Sequence, residues 1–421
     1  MKQSFGMNFL LLNLKELMKY FKISFVLILG FAFIYSCKDE RAIIKKEVAK
    51  QWFKGNLHTH SYWSDGDEFP EVIMEWYKSN GYEFLALSDH NTLAEGEKWI
   101  TIQEDSIYQK AFKNYLEDYG RDWVEHKLDS GKILVKLKTY SQYRTRFEEA
   151  GKFLAIQSEE ITDSYEDKPI HMNATNVVYR IDPKGGESVV EVLQNNLDQV
   201  LRQREETGTP MFPHVNHPNF GYGVALKDMI SLRGERFFEV YNGHPMVHNM
   251  GDSIHISTEN MWDLINISYL ENKKPIMYGL ATDDSHHYHR KGSEWSNAGR
   301  GWVMVQADTL SAKSLITAME AGQFYASTGV ELQKIDSTSG ELSIEVVPET
   351  NITYTIEFIG CKKGDSESQV LKSIEANSGS YEMPADLLFV RCKVTSSKKQ
   401  ENPIENLINE MAWTQPVVLS D

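Results

Sequence analysis

The chain has 421 residues, 41% of them apolar, enough for one large domain and a small one with a sizeable core. Its net charge of −16 excludes binding along a nucleic-acid backbone, which requires a basic face. A small anionic substrate is not excluded, because bound cations reverse the charge locally.

In chain order, Lys19 and Lys22 precede an apolar run, Ile23–Ile34, followed by Tyr35, Ser36 and Cys37. A basic stretch, a short apolar run and a small residue before the cleavage point make a secretory signal. The run is too short for a comfortable membrane span. Residues 1–37 are expected to be a signal peptide and 38–51 a linker; Met18 would start a signal of ordinary length, leaving 1–17 as an extension. Cys37 resembles the lipidated cysteine of a bacterial lipoprotein signal. Lys38-Asp39-Glu40 resembles the acidic export tag of surface lipoproteins in Bacteroidetes-type bacteria. The resemblance implies an exported protein, lipid-anchored in the cell envelope on the outer membrane's periplasmic or surface face. The alternative is an uncleaved anchor helix.

From Trp52 onward, apolar runs (Phe84–Leu87, Phe153–Ile156, Pro210–Phe212, Phe237–Tyr241, Ile276–Leu280) alternate with helix-like segments (Pro70–Ser79, Ser188–Thr207, Ser257–Leu270). This alternation predicts an α/β fold of βα units around a parallel sheet. The runs end in polar, metal-capable residues: Ser88-Asp89-His90, Glu159-Glu160, His214 to His217, Asn242, and Asp283 to His286. Function in α/β folds gathers at the carboxyl ends of strands, so these residues are expected on one rim. A charged stretch, residues 94–151, interrupts the rhythm with helical pieces at Asp105–Tyr119 and Tyr140–Ala150. It reads as an insertion beside the rim, either a lid or a plain surface elaboration. Residues 331–421 alternate with period two (Glu341–Val347, Ile352–Ile359, Leu388–Val394) and predict a small C-terminal antiparallel β domain without a histidine. Cys361 and Cys392 lie there, and their spacing does not decide whether they pair.

The segment NLHTHSYWSDG carries the first chemistry. On a strand, residues i and i+2 face the same way, so His58 and His60 reach one ion. Asp65 follows a short turn able to fold back onto the same site. Asp89-His90, Glu160, His171, His217 and Asp284-Ser285-His286 add further donors. All 13 histidines fall between His58 and His289. Burying so many imidazoles and carboxylates uncompensated would cost several kcal/mol per charge. A nitrogen and oxygen set without thiolate suits two or three divalent ions of the zinc, manganese or iron type. Open coordination positions imply bound water and hence hydrolysis.

Six segments in this order, HTHSYWSDG, LSDHNT, SEEIT, HMNAT, NHPN and TDDSH, resemble the PHP (polymerase and histidinol phosphatase) family over residues 52–330. The resemblance implies a distorted (β/α)7 TIM-like barrel, a trinuclear metal site at its C-terminal rim, and phosphoester hydrolysis by a metal-bridging hydroxide. NHPNFGYG, EVYNGHP, GRGWV and FYASTG are similar to the exported branch grouped with carbaryl-hydrolase-like metallohydrolases, which implies an ester, amide or carbamate as the alternative bond. A non-enzymatic ligand-binding envelope lipoprotein is the other alternative.

Carried over by motif, His58, His60, Glu160 and Asp284 would hold the first ion. Glu160 would bridge to a second, bound by His171 and His217, and Asp65, His90 and His286 would hold the third. Asp65 stands where some relatives have a histidine. Glu159, His214 and Asp283 are adjacent alternatives. The spacing to Ile161-Thr162, the His-Pro context and the Asp-x-His spacing favour Glu160, His217 and Asp284.

Asp89 reads either as orienting His90 or a neighbouring ligand, or as a cap with Asn91-Thr92. His286 or His217 reads as a proton donor to the leaving group. Arg300 reads either as a contact for an anionic substrate group or as a loop arginine paired with a carboxylate, and Arg290 and Lys291 carry the same two readings. His244, His248, His255, His287 and His289 are placed on the rim or surface. Tyr62 and Trp63 either line the pocket or pack. The expected partner is a small, anionic substrate, with no nucleic-acid scaffold and a membrane contact through the lipid anchor.

Overall fold

The computed structural model describes residues 50–419 apart from 339 and 406. The expected signal peptide, Cys37 and nearly all of the linker lie outside the described residues. Among the described residues no helix is long and apolar enough to cross a membrane.

Thirteen strands form one sheet. Along the chain they are β1 (Gln51–Asn56), β2 (Phe84–Leu87), β3 (Leu154–Tyr165), β4 (Lys168–Thr175), β5 (Phe212–Val215), β6 (Phe237–Asn242), β7 (Tyr278–Thr282), β8 (Trp302–Ala307), β9 (Phe324–Ser327), β10 (Tyr354–Lys362), β11 (Gln369–Glu375), β12 (Leu387–Lys399) and β13 (Asn409–Thr414). The helices are α1 (Pro70–Ser79), α2 (Ser106–Tyr119), α3 (Tyr140–Phe147), α4 (Val189–Thr207), α5 (Leu226–Ser231), α6 (Thr258–Glu271) and α7 (Ala312–Glu320). The order in the sheet is β7-β6-β5-β4-β3-β2-β1-β8-β9-β13-β12-β10-β11.

From β7 to β1 the neighbours are parallel except around β4, which runs against both β3 and β5. The apolar run at Phe153–Ile156 therefore reports only the start of a long strand. That strand continues through the rim to Tyr165 and returns as β4 after a tight turn in which Glu166 takes a left-handed φ of 54°.

The strands β2, β6 and β7 are buried along their whole length, as expected where both faces are covered. Leu57, Phe84, Ile156, Phe212, Phe237 and Leu280 meet in one apolar cluster, each contributing roughly 2 kcal/mol of transfer free energy. Residues from both β1 and β7 share that cluster, so the sheet curls on itself. Among the described residues no strand ladder joins β7 to β1, so the sheet is not closed into a barrel by hydrogen bonds there. An isolated parallel bridge, Thr59 with Ser285, links their carboxyl-terminal extensions. Ser188 and Ser257 cap α4 and α6 through their hydroxyls. Pro70 opens α1, where its fixed φ and missing N–H cost nothing.

The C-terminal residues extend this sheet: β9 pairs with β13, and β12 and β10 follow. The described residues accordingly form one compact unit. A second sheet, Leu332–Asp336, Glu341–Val346 and Ser378–Glu382, covers one face of β10 and β12 and shares a core with Phe358 and Cys392. On the other face Ile267 of α6 meets Cys361 and Phe389. Phe358 is opposite Cys392 and Cys361 opposite Phe389, so the two cysteines point to opposite faces, and both are free thiols.

The insertion folds as its own three-stranded sheet, Trp99–Thr101, Lys132–Lys136 and His126–Asp129, with α2 and α3. It packs on the loop after the histidine pair. Tyr115 stacks on Phe69 at 3.9 Å between centroids, and Tyr115 and Trp123 both donate to Glu71.

Candidate metal centre

β1 ends at Asn56, and the chain runs on, extended, through His58 and His60. Both residues are fully buried. Thr59 between them faces the other way, toward the Tyr77 hydroxyl. The His60 N–H donates to the Ser285 carbonyl at 2.9 Å, and the Asp284 N–H to the His58 carbonyl at 3.0 Å. These bonds draw the two ligand-bearing segments together.

The turn after His60 depends on Gly66. A Cβ there would stand 2.6 Å from the His60 carbonyl carbon and oxygen, so only glycine lets the loop return so closely. The turn delivers Asp65 at the mouth of the site, its side chain 57% exposed, 3.5 Å from His286 Nε2 and 3.5 Å from His90 Nε2.

Glu160 is the centre. Its carboxylate stands 3.4 Å from His58 Nε2, 3.4 Å from His60 Nε2, 2.7 Å from His90 Nδ1, 3.0 Å from His171 Nδ1 and 3.4 Å from His217 Nε2. His171 reaches it because β4 is antiparallel, which puts the amino end of that strand at the rim. Asp284 stands 3.3 Å from both His58 Nε2 and His60 Nε2, 3.6 Å from His286 Nδ1 and 3.7 Å from His217 Nε2. Asp284 and His217 have φ of 50° and 22°, a left-handed backbone that is costly for side-chain-bearing residues and clusters at functional sites.

Hydrogen bonds fix two tautomers. The His58 Nδ1–H donates to Glu239 Oε1 at 2.7 Å, which leaves Nε2, when the ring is neutral, as a lone pair aimed between Glu160 and Asp284. The His286 Nδ1–H donates to the Asp284 carbonyl at 2.9 Å, leaving Nε2 as a lone pair toward Asp65. When neutral, His286 is therefore arranged as a ligand and not as a proton donor.

Burial disfavours the charged forms of Glu160 and Asp284. The surrounding imidazoles, His90 and His58 for the first and His58 and His60 for the second, nonetheless hold both well below the usual carboxylate range. Burial, with His286 and His90 nearby, pushes His60 down to about 3, so it is a neutral imidazole. His90 is raised to about 11 against its own burial by Glu160 and Asp65.

The nine expected side chains fall into overlapping groups whose donor atoms lie within 4.8 Å of one another: His60, Asp65, His90 and His286; His58, His60 and Asp284; His58, Glu160 and His217; His90, Glu160 and His171. The set fits divalent ions on two counts. His58 Nε2, His60 Nε2 and Glu160 Oε2 are buried with no hydrogen-bond partner among the described residues, a cost that coordination would remove. Most separations here are 3.3–3.7 Å, too long for good hydrogen bonds but near the spacing of two donors each about 2.1 Å from a shared ion. The grouping differs from the family-based one in pairing His171 with His90 and His217 with His58.

The open readings of two residues narrow. Asp89 bears on a neighbouring ligand segment and not on the His90 ring. It accepts from the N–H and hydroxyl of Ser61 and of Ser64 and so clamps the loop between His60 and Asp65. Arg300 forms no salt bridge through its guanidinium with a carboxylate among the described residues, although its backbone N–H donates to Asp283. Its buried guanidinium donates to the carbonyls of Gly243, Trp295, Gly292 and Asn402, all structural contacts. Arg290 pairs with Asp105 of the insertion at 3.2 Å. Trp63 and Tyr62 pack: the first donates to the Lys138 carbonyl, the second sits on Phe69. His244 lies at the rim, its ring 5.5 Å from that of His286, while His248 and His255 flank Tyr222.

Sequence reasoning missed Glu239, which joins His58 and His214 in a further donor group. Besides His58, Glu239 accepts from the His217 N–H, Asn242 and Thr282. A carboxylate inside the apolar run FFEVYN was the available signal. Adjacent Glu159 turns away, accepting from the Ile181 N–H, and Asp283 accepts from the N–H groups of Gly299, Arg300 and Gly301.

No family model matches the chain, and no curated protein matches it. Among solved structures it is similar to a two-domain protein of Bacteroides vulgatus containing a predicted PHP-like metal-dependent phosphoesterase. Identity is 13% over 87% of this chain and 96% of that one, with a TM-score of 0.37. A second, a proposed metal-dependent phosphoesterase of Bifidobacterium adolescentis, is 11% identical over 56% of this chain and 88% of that one, with a TM-score of 0.26. At such scores neither likeness bears on function.

Proposed function

We propose that the rim binds two or three divalent ions (zinc, manganese or iron) and that the chain is a metal-dependent hydrolase, most favourably of phosphoric esters, built on a PHP-type (β/α)7 barrel. The observation that carries this reading is Glu160: one buried carboxylate meets five imidazoles, two of which have unpartnered Nε2 atoms. Bound ions would supply an activated water as nucleophile and offset the charge that develops on the substrate's oxygens. The chain's own part is to hold that set. Glu239 fixes the His58 ring, Asp89 fixes the loop carrying His60 and Asp65, and exposed Asp65 marks the side from which substrate enters.

The test is elemental analysis of the purified chain, followed by assays of loaded and chelator-stripped protein on phosphomonoesters, phosphodiesters and aryl esters. Ions bound at the rim and phosphoester turnover that vanishes on stripping are expected. Turnover of the aryl ester alone would move the reading to carboxylic ester, amide or carbamate hydrolysis. No bound metal would overturn it. The signal-like N-terminus supports an envelope lipoprotein, and Cys37→Ser is expected to move the protein from the membrane to the soluble fraction.

A further inference from the structure

A cleft of about 780 Å³ opens between β1, the end of α1, the segment before β8 and the residues leading into β13. None of the nine rim donors lines it. One wall is cationic and aromatic. The Lys54 ammonium lies 4.1 Å from the ring centroid of Tyr82 and 4.0 Å from that of Trp302. It has no carboxylate or hydrogen-bonding partner among the described residues. Aromatic faces attract an ammonium but do not satisfy its three N–H donors as an anion does. Lys291 stands over Trp76, 5.9 Å from its centroid. Burial lowers the pKa of both lysines, against the pull of Asp283, Glu331 and Glu83 on Lys54 and of Glu401 on Lys291, the mark of cations short of water. The buried Tyr82 hydroxyl also lacks a partner.

The other wall carries Glu401 and Glu410. Glu410 pairs with Lys398 at 3.3 Å through one oxygen, and its second oxygen, though buried, has no partner. A bare inorganic anion would gain the lysines and face both glutamates. A neutral ligand would leave the lysines unmatched. A ligand with an acidic group at one end and hydroxyl donors at the other satisfies both walls, and half-exposed Trp76 offers a ring on which a pyranose can stack.

We propose that this cleft is a binding site for an acidic saccharide, whose carboxylate or sulfate meets Lys54 and Lys291 and whose hydroxyls donate to Glu401 and Glu410. The site is independent of the rim. The net charge of −16 repels polyanions generally, so uptake of one requires a local cationic site.

The test is calorimetric titration of the metal-loaded full chain with a heparin-derived tetrasaccharide, neutral maltotetraose and sodium sulfate. The acidic tetrasaccharide is expected to bind, and maltotetraose to bind about tenfold or more weakly by comparison. Lys54→Met and Trp76→Ala should each weaken the tetrasaccharide by about tenfold, while Glu160→Gln at the rim leaves it unchanged. Lys291→Ala reads the same wall should Lys54→Met fail to fold. Absent tetrasaccharide binding, wild-type affinity in the cleft variants, equal affinity for sulfate alone, or loss on Glu160→Gln would each overturn the proposal.

Discussion

Ionisable side chains are buried side by side in two places, at the rim and at the junction between α6 and the C-terminal strands. At the junction, Arg391 donates to Asp263 at 2.6 and 2.8 Å and meets Glu259 at 3.1 Å. Burial alone would lower the Arg391 pKa, but Asp263 and Glu259 raise it. At the rim, His58 and His60 stand 3.3–3.4 Å from Glu160 and Asp284, and their facing nitrogens make no hydrogen bond. Charges that stabilise one another directly close to hydrogen-bond contact. Carboxylates and imidazoles held slightly apart, with lone pairs converging, leave room for an ion.

Breaking the rim should have the largest effect. Glu160→Gln is expected to lower bound metal and to cost about 1000-fold or more in hydrolysis, since it removes a donor from two groups at once; metal analysis beside kcat/KM measures it. Breaking the junction should act on stability alone. Arg391→Ala leaves Asp263 buried and unpaired and should cost about 3–5 kcal/mol, read by denaturant unfolding, with metal content unchanged in the folded protein. If that variant lost its metal, the two regions would not be separable.

Between these lies Glu239, which touches no proposed substrate position but holds His58. Glu239→Gln is expected to weaken metal binding by about 10–100-fold with the fold retained, measured by competition with a chelator. Wild-type affinity would show that the carboxylate does not set the tautomer.

A pH-dependent effect concerns a buried carboxyl belonging to neither place. Burial pushes Glu235 up to about 8, against the N–H groups of Phe237 and Arg236 that favour its charged form. A folded pKa above the unfolded value of 4.5 means a contribution that is full below that value and lost as pH rises through about 8. Wild type should therefore lose stability relative to Glu235→Gln across that window. Parallel pH profiles of melting temperature would contradict this.

Much of this arrangement was legible in residues because its determinants are local. The two-residue spacing of His58 and His60 sets their common face, and Ser64-Asp65-Gly66 announces a turn. Helices such as Pro70–Ser79 show themselves through apolar spacing and Pro70. What was not legible depends on distant partners. The reversal of β4 follows from a hairpin closed by Glu166 without a glycine. The roles of Asp89 and Arg300 depend on which backbone groups the fold brings to them, and a loop arginine flanked by glycines looks alike whether it meets substrate or carbonyls. For the C-terminal strands, period-two alternation gives the strands but not the pairing of β9 with β13.

The most direct test of the central claim is anomalous diffraction from crystals of the metal-loaded protein, collected at the absorption edge of each bound metal. Two or three peaks within coordination distance of His58, His60, Glu160 and Asp284, with Glu160 contacting more than one, are predicted. Peaks elsewhere, or Glu160 paired with protonated histidines at hydrogen-bond distance and no ion between them, would contradict it.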